Sequence, residues 1–394
     1  MVPEGWKLTS LKEACNNQLQ TGPFGSQLHS HEYVDEGIPV LMPKDLNDFR
    51  ANIETAAKIT EERGRDLKKH WLQKGDILFS RRGDVARFAL IDEQASNAIC
   101  GTGCLRVRAS DQYYPKYLSY FLQLHQVRKW LEQNSVGQTM PNMNTEILGE
   151  LPLKLATNLK EQKKIAQILS TWDKAITTSE QLLANSQQQK KALMQQLLTG
   201  KKRLLDDNGV RFSGEWKHGY LSDIAKIAKG KALSSRNLTE GSYPVIAGGK
   251  TSPYSHSEFT HENIITVSAS GAYAGYVAYH PHKVWASDCS VVAAKKNSHT
   301  LFIFQLLTHL QNKIYSLQSG GAQPHIYPKD LDTLKVFIPS SAEQQKIASA
   351  LSSADEGIDS LQQKIEALKQ EKKALMQQLL TGKRRVKIDN KEVA

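Results

Sequence analysis

Twelve residues, Lys190 to Lys201, read KKALMQQLLTGK, and the same twelve return unchanged at Lys372 to Lys383. The offset of 182 residues also holds upstream, where Glu161-Gln162 matches Glu343-Gln344 and Ile165-Ala166 matches Ile347-Ala348. Leu169, Asp173 and Ile176 match Leu351, Asp355 and Ile358 in the same frame. Such self-similarity marks a tandem duplication, so an architecture assigned to one half must also suit the other.

Each repeat reads as one long helix. In the second, Ile347, Leu351, Ala354, Ile358, Leu361, Ile365, Leu368, Leu375 and Leu379 recur at steps of four and three, interrupted at Lys372. A period of about 3.5 residues makes a narrow apolar seam of the coiled-coil kind. The first repeat keeps the seam with Ile165, Leu169, Trp172, Ile176, Leu183, Leu193 and Leu197, weakened at Ser179 and Ser186. Neither contains an internal proline, and both stop at Thr-Gly followed by a basic residue, where glycine takes the left-handed cap conformation. At about 1.5 Å per residue such a helix spans on the order of 55 Å. The matched seams predict that the two helices pair antiparallel within one chain.

At 394 residues the chain is too long for one domain of typical size. The repeat divides it into a first globular part (1–158), a helix (159–200), a second globular part (201–338), a second helix (339–382) and a basic tail (383–394). No run of 18 apolar residues is present, and the start MVPEGWKLTSLKEACN lacks the regions of a signal peptide. A soluble, cytoplasmic protein with no membrane partner is expected. Cys15, Cys100, Cys104 and Cys289 are too scattered for a disulfide framework and contain no CxxC pair, so reduced, buried thiols are expected.

The net charge of +11 suggests a polyanionic partner. Its distribution is uneven: 19 basic and 19 acidic side chains in 1–158, 9 and 3 in 159–204, and 13 and 10 in 205–338. The first globular part is neutral but clusters its bases at Arg63 to Lys69 and at Arg81, Arg82 and Arg87.

Both globular parts alternate short strand-like runs with helical stretches, an α+β pattern. Tyr243-Pro-Val-Ile corresponds to Ile38-Pro-Val-Leu, and Asn263-Ile-Ile-Thr-Val-Ser-Ala-Ser-Gly to Asp76-Ile-Leu-Phe-Ser-Arg-Arg-Gly. Trp216 and Leu221 answer Trp6 and Leu11. Helices are predicted over Tyr117 to Leu131 and Leu301 to Leu317. The loop at Ser135-Val-Gly-Gln-Thr-Met-Pro-Asn is answered by Ser319-Gly-Gly-Ala-Gln-Pro-His. A common frame with divergent loops suits two halves that recognise different things with one scaffold.

This frame, with EQ-x-K-I-A at Glu161 and Glu343 and helices ending in LLTGK, resembles the specificity (S) subunit of type I restriction-modification systems. The resemblance covers nearly the whole chain, twice. It implies two target-recognition domains, each reading one half of a bipartite duplex DNA target, separated by two helices packed as an antiparallel coiled coil with internal pseudo-two-fold symmetry. It further implies docking of two methyltransferase (M) subunits, and restriction-translocase (R) subunits joined through the complex. S-adenosylmethionine and ATP would be bound only by those partners, so the chain itself is expected to be non-catalytic and to hold no cofactor.

Motifs for other chemistry are weak. Gly248-Gly-Lys-Thr251 has the end of a phosphate-binding loop, but GxxxxGK[ST] requires glycine where Pro244 stands. His29-x-His31 and Cys100-x3-Cys104 lack a second pair at zinc spacing, so no metal is expected. Glu161-Gln-Lys163 sits at a helix start, where an acidic residue complements the dipole. Neither a glycine cofactor motif nor an Asn/Asp-Pro-Pro-aromatic motif for adenine methylation is found.

Base edges are read by arginine or lysine at guanine and by asparagine or glutamine at adenine. The candidates are Lys44, Arg81, Arg82, Arg87, Gln138, Asn142 and Asn144 in the first part. In the second they are Lys250, Tyr254, Ser270, Tyr273, Gln323 and His325. Lys201, Lys202, Arg203, Lys383, Arg384 and Arg385 are expected at phosphates or at the helix ends. The other class of function compatible with the pattern is a coiled-coil adaptor with protein-binding globular domains, which would lack salt-sensitive affinity for duplex DNA.

Overall fold

The strands Ile77–Ser80 and Ile264–Ser268 are buried along their whole length, and a globular core forms around each. Side chains alternate across a strand. Ile77 and Phe79 therefore join one core, with Leu105, Val107 and Tyr117, while Leu78 joins another on the opposite face with Leu41, Leu46 and Ala89. In the second strand Ile265 and Val267 enter one core and Ile264 another. Continuous apolar composition here reflects burial on both faces.

The computed structural model describes residues 2–24, 27–137 and 140–388. It divides into two units, one of Met1–Thr178 with Ile365–Ala394 and one of Ser179–Lys364. In the first, Ile77–Ser80 lies antiparallel between Cys104–Val107 and Phe88–Leu90, and Leu19–Thr21 pairs beyond Cys104–Val107. In the second, Ile264–Ser268 lies between Cys289–Ala294 and Val277–His280, with Ala225–Lys229 outermost. The four-strand order is the same. The first unit extends its sheet by Phe49–Ala51 and Leu46–Asn47, for which the second has no counterpart among the described residues. A three-stranded sheet recurs as well. Ile38–Leu41 pairs antiparallel with Ala57–Ile59 and parallel with Ile99–Cys100, and Tyr243–Ile246 does the same with Ser255–His256 and Trp285–Ala286.

The helices predicted over Tyr117 to Leu131 and Leu301 to Leu317 are each broken. The first becomes Pro115–Leu122 and His125–Asn134, the second Thr300–His309 and Gln311–Tyr315. Leu124 takes an extended conformation and is buried in the first core, so tertiary packing overrides a continuous helical propensity.

The long helices are Leu159–Leu197 and Ser341–Leu379, and Gly357 does not interrupt the second. Both end at a glycine with φ of +72°, Gly200 and Gly382, as the Thr-Gly signal predicts. Every residue of the expected seams is buried or half-buried, and Ser179 is buried too. The contact division differs from the sequence boundaries, because each unit takes half of each helix. Ile165, Ala166, Leu169, Met376, Leu379 and Leu380 belong to the first unit's core. Their counterparts at the 182-residue offset, Ile347, Ala348, Leu351, Met194, Leu197 and Leu198, belong to the second unit's.

The repeated polar residues explain themselves in the same way. In the first unit Glu161 holds Arg385 through two hydrogen bonds, 2.6 and 2.9 Å, and Asp173 pairs with Lys372 at 2.5 Å. In the second, Glu343 holds Arg203 at 2.5 and 2.7 Å and Asp355 pairs with Lys190. In each unit rising numbers on one helical segment meet falling numbers on the other. Arg203 and Arg385 were expected at phosphates or helix ends, but they are committed to buried carboxylates. The following glutamine ties the helix to its globular part: Gln162 Oε1 accepts from Tyr114 N at 2.7 Å, and Gln344 Oε1 from His299 N at 3.1 Å. One difference is that Trp216 Nε1 donates to Glu343 at 3.0 Å, whereas Trp6 Nε1 is buried with no partner among the described residues. All four cysteines are free and buried.

Candidate nucleic-acid interface

At the end of each central strand the chain turns outward and is caught by a second loop through the same set of backbone bonds. In the first unit Met143 N donates to Arg81 O (2.8 Å), Gly83 N to Pro141 O (3.0 Å), and Val136 and Asn142 exchange bonds of 2.9 and 2.8 Å. In the second unit Ile326 N donates to Ala269 O (2.9 Å), Gly271 N to Pro324 O (3.1 Å), and Ser319 and His325 exchange bonds of 3.0 and 2.8 Å. Tight reversal of the outer loop needs glycine. Gly137 has φ of +105° and Gly320 of +95°, and a Cβ at either would lie 2.7 Å from the carbonyl oxygen of Met140 or Gln323.

Isolated bridges then set three residues side by side. Arg82, Asn142 and Val136 form the row in the first unit, and Ser270, His325 and Ser319 in the second. Directly paired residues share a face, with Cβ atoms about 4.5–5.5 Å apart. Six side chains on a common backbone frame thus differ at every position.

Around the first row, Arg82 is exposed and has no side-chain partner among the described residues. Arg81 is half-buried over the Phe24 ring, 5.9 Å from its centroid, and among the described residues neither its Nε nor Asn142 Oδ1 has a hydrogen-bond partner. Arg87 donates to Pro43 O at 3.3 Å and lies 3.8 Å from Asp84, beside the exposed Lys44. Asn144 is a helix N-cap whose Oδ1 accepts from Ile147 N at 2.7 Å, so half of its amide is occupied locally. Gln138 lies outside the described residues. In the other basic cluster Arg63 is paired with Glu32 and Asp66, and Arg65 with Glu61.

In the second unit, Lys250 lies over the rings of Tyr273 and Tyr276, at 5.4 and 5.5 Å. Ser270 Oγ donates to the Asp288 carboxylate, and His325 stacks on Tyr327 at 6.2 Å. Gln323 is exposed, and so is Tyr254, away from this row in the turn bonded to Val245. A hollow under Lys250 is lined by Thr266, Ser268, His280 and Cys289. Burial pushes the Cys289 thiol up to about 12, helped by Asp288, and holds His280 below its ordinary value. Both are therefore neutral near pH 7, the thiol unactivated. Among the described residues no three His, Cys, Asp or Glu side chains converge on a metal position.

Sequence reasoning missed Phe24, Val136, Met140, Tyr276, Tyr327 and Asp288. The signal was available for Val136 and Met140, because the Ser135 and Ser319 loops align with a constant offset. For Phe24 and Asp288 there was none, since each reaches its partner across many residues of chain.

The chain thus uses one scaffold twice, with side chains exchanged at the loops. The profile of the type I restriction modification DNA specificity domain matches residues 3–185 and again 213–370. The chain therefore belongs to that family and is a DNA-recognition subunit with two such domains. It is 26% identical over 422 residues to a putative type I restriction enzyme MjaX specificity subunit of Methanocaldococcus jannaschii, covering 98% of this chain and 95% of the relative. To the MjaIX specificity subunit of the same organism it is 23% identical over 416 residues, with the same coverage. In fold it is similar to the crystal structure of a type I restriction-modification S subunit from M. genitalium, with a TM-score of 0.67, 18% identity and 96% of each chain covered. Among the described residues no helix is long and apolar enough to cross a membrane.

Proposed function

We propose that each unit reads one half of a bipartite duplex DNA target, using the row Arg82–Asn142–Val136 in the first and Ser270–His325–Ser319 in the second. The observation that carries this reading is the pair of matched backbone frames with wholly different side chains. Arginine and asparagine are suited to guanine and adenine edges, whereas serine hydroxyls bond to either, so the two rows offer different sets of hydrogen-bonding groups. Lys44, Arg87 and Lys250 lie beside these loops, where phosphate contacts would set orientation rather than sequence.

The long helices act as an antiparallel coiled coil relating the units by a pseudo-two-fold axis and fixing the distance between the half-sites. Support comes from the ion pairs that recur at the 182-residue offset within each unit. Their solvent faces dock two methyltransferase subunits, through which restriction-translocase subunits join. S-adenosylmethionine and ATP bind to those partners, and this chain supplies recognition without catalysis, inside the cell.

Replacing residues 205–338 by the equivalent segment of a relative tests the division of labour. Sequencing of adenine methylation in cells carrying the chimera with its methyltransferase should show one half of the target changed and the other retained. A change in both halves, or in neither while methylation persists, would refute it. Binding of the full chain to random duplex DNA should weaken steeply with salt, which an adaptor protein would not show.

A further inference from the structure

Val136 is 63% exposed at the closing pair of a loop whose fold does not require an apolar side chain there, since the bonds that hold it are backbone bonds to Asn142. At the matched position of the second unit stands Ser319, which makes the same two backbone bonds. An exposed valine in line with Asn142 and Arg82 therefore has no structural task that serine does not perform. The major groove displays donors and acceptors in many patterns but offers one apolar group, the C5-methyl of thymine. Arginine, asparagine and valine in one row match the guanine edge, the adenine edge and the thymine methyl.

We propose that Val136 is a specificity-determining residue of the first unit and reads a thymine C5-methyl group in the half-site that this unit recognises. The inference rests on the assignment of this row to DNA reading. It adds that one position of that half is a thymine held by its methyl group, beside the positions read by Arg82 and Asn142. The second unit, with Ser319 in place of valine, contributes no such contact from its row.

Thymine and uracil differ only by that methyl and pair identically, so the test replaces each thymine of the selected target by uracil in turn. Binding of the full-length chain is measured by fluorescence anisotropy. One position in the first unit's half should lose about fourfold in affinity, the partition of one buried methyl. In Val136→Ala and Val136→Ser chains, thymine and uracil at that position should bind alike, while preference at the position read by Arg82 stays intact. The proposal is overturned if uracil binds within twofold of thymine throughout that half. It is also overturned if the discrimination survives in Val136→Ala, or if the selected half contains no thymine on either strand. If Arg82→Ala relaxes base preference while uracil and thymine remain equivalent, the reading surface stands and the methyl contact alone is wrong. If Arg82→Ala and Val136→Ala both leave preference unchanged, the surface does not read DNA and the proposal falls with it.

Discussion

The two bridged loop rows, proposed above to read DNA, and the two helical repeats represent opposite solutions within one duplicated chain. Val136–Asn142–Arg82 and Ser319–His325–Ser270 share a backbone hydrogen-bond frame and no side chain. The helical repeats keep their side chains, because there the side chains themselves make the structure: Glu161 with Arg385, and Glu343 with Arg203, are joined through carboxylate and guanidinium. Where backbone bonds hold a loop, its side chains are released for recognition. Where a helix is held by side-chain packing and ion pairs, its sequence is fixed by them.

The equivalence of the two units can be broken most severely at Leu351, which is fully buried in the second unit's core. Leu351→Asp places an unpaired charge there and should cost about 3–5 kcal/mol. Hydrogen exchange should lose protection in the second unit first, with the central strand Ile77–Ser80 of the first unit affected less. Equal loss in both would mean that the units do not have separable cores.

A finer comparison concerns the two tryptophans. Both Trp216→Phe and Trp6→Phe leave a smaller ring, but Trp216→Phe also removes a hydrogen bond to the Glu343 carboxylate and should cost about 1.5–3 kcal/mol more than Trp6→Phe, whose buried N–H has no partner among the described residues. Denaturant unfolding of the two variants measures the difference, and similar losses would contradict the asymmetry.

Gly137→Ala and Gly320→Ala sharpen the claim that the loop frames are equivalent. Each forces a Cβ against a carbonyl at positive φ, a strain of about 1–3 kcal/mol. Each should blur sequence preference in one half of the target only, as read by selection from random duplexes. The smallest effect is expected at Asn144. Asn144→Ala should lower stability by about 1 kcal/mol through loss of the N-cap, and should leave base preference in place if capping is its whole role. Thermal melting and the same selection experiment separate the two.

Much of this was legible beforehand. The Thr-Gly stops mark the left-handed glycines Gly200 and Gly382, and the residues at the 3.5-residue spacing are buried or half-buried along both helices. These signals are local or periodic, so they survive in one dimension. The break at Leu124 was not legible, because what interrupts that helix is burial of Leu124 in a core assembled from distant strands. The partners of the terminal arginines were not legible for a similar reason: Arg385 meets a carboxylate 224 residues away in sequence, and charge alone does not say whether its partner is a phosphate or Glu161.

By itself, the sequence determined the duplication, the two long helices with their ends, and the family to which the chain belongs, because a repeat and a periodic pattern are properties of residue order. Only the tertiary structure decided which candidates stand together. Arg82 joins the local Val136–Asn142 pair through a bridge to Asn142, which lies far along the chain from it. Asn144 is diverted to a helix cap and Arg87 toward Asp84, and Phe24 is brought under Arg81. Which groups meet is a matter of long-range backbone pairing, and pairing is fixed by how the sheets fold on one another rather than by any residue's neighbours in sequence.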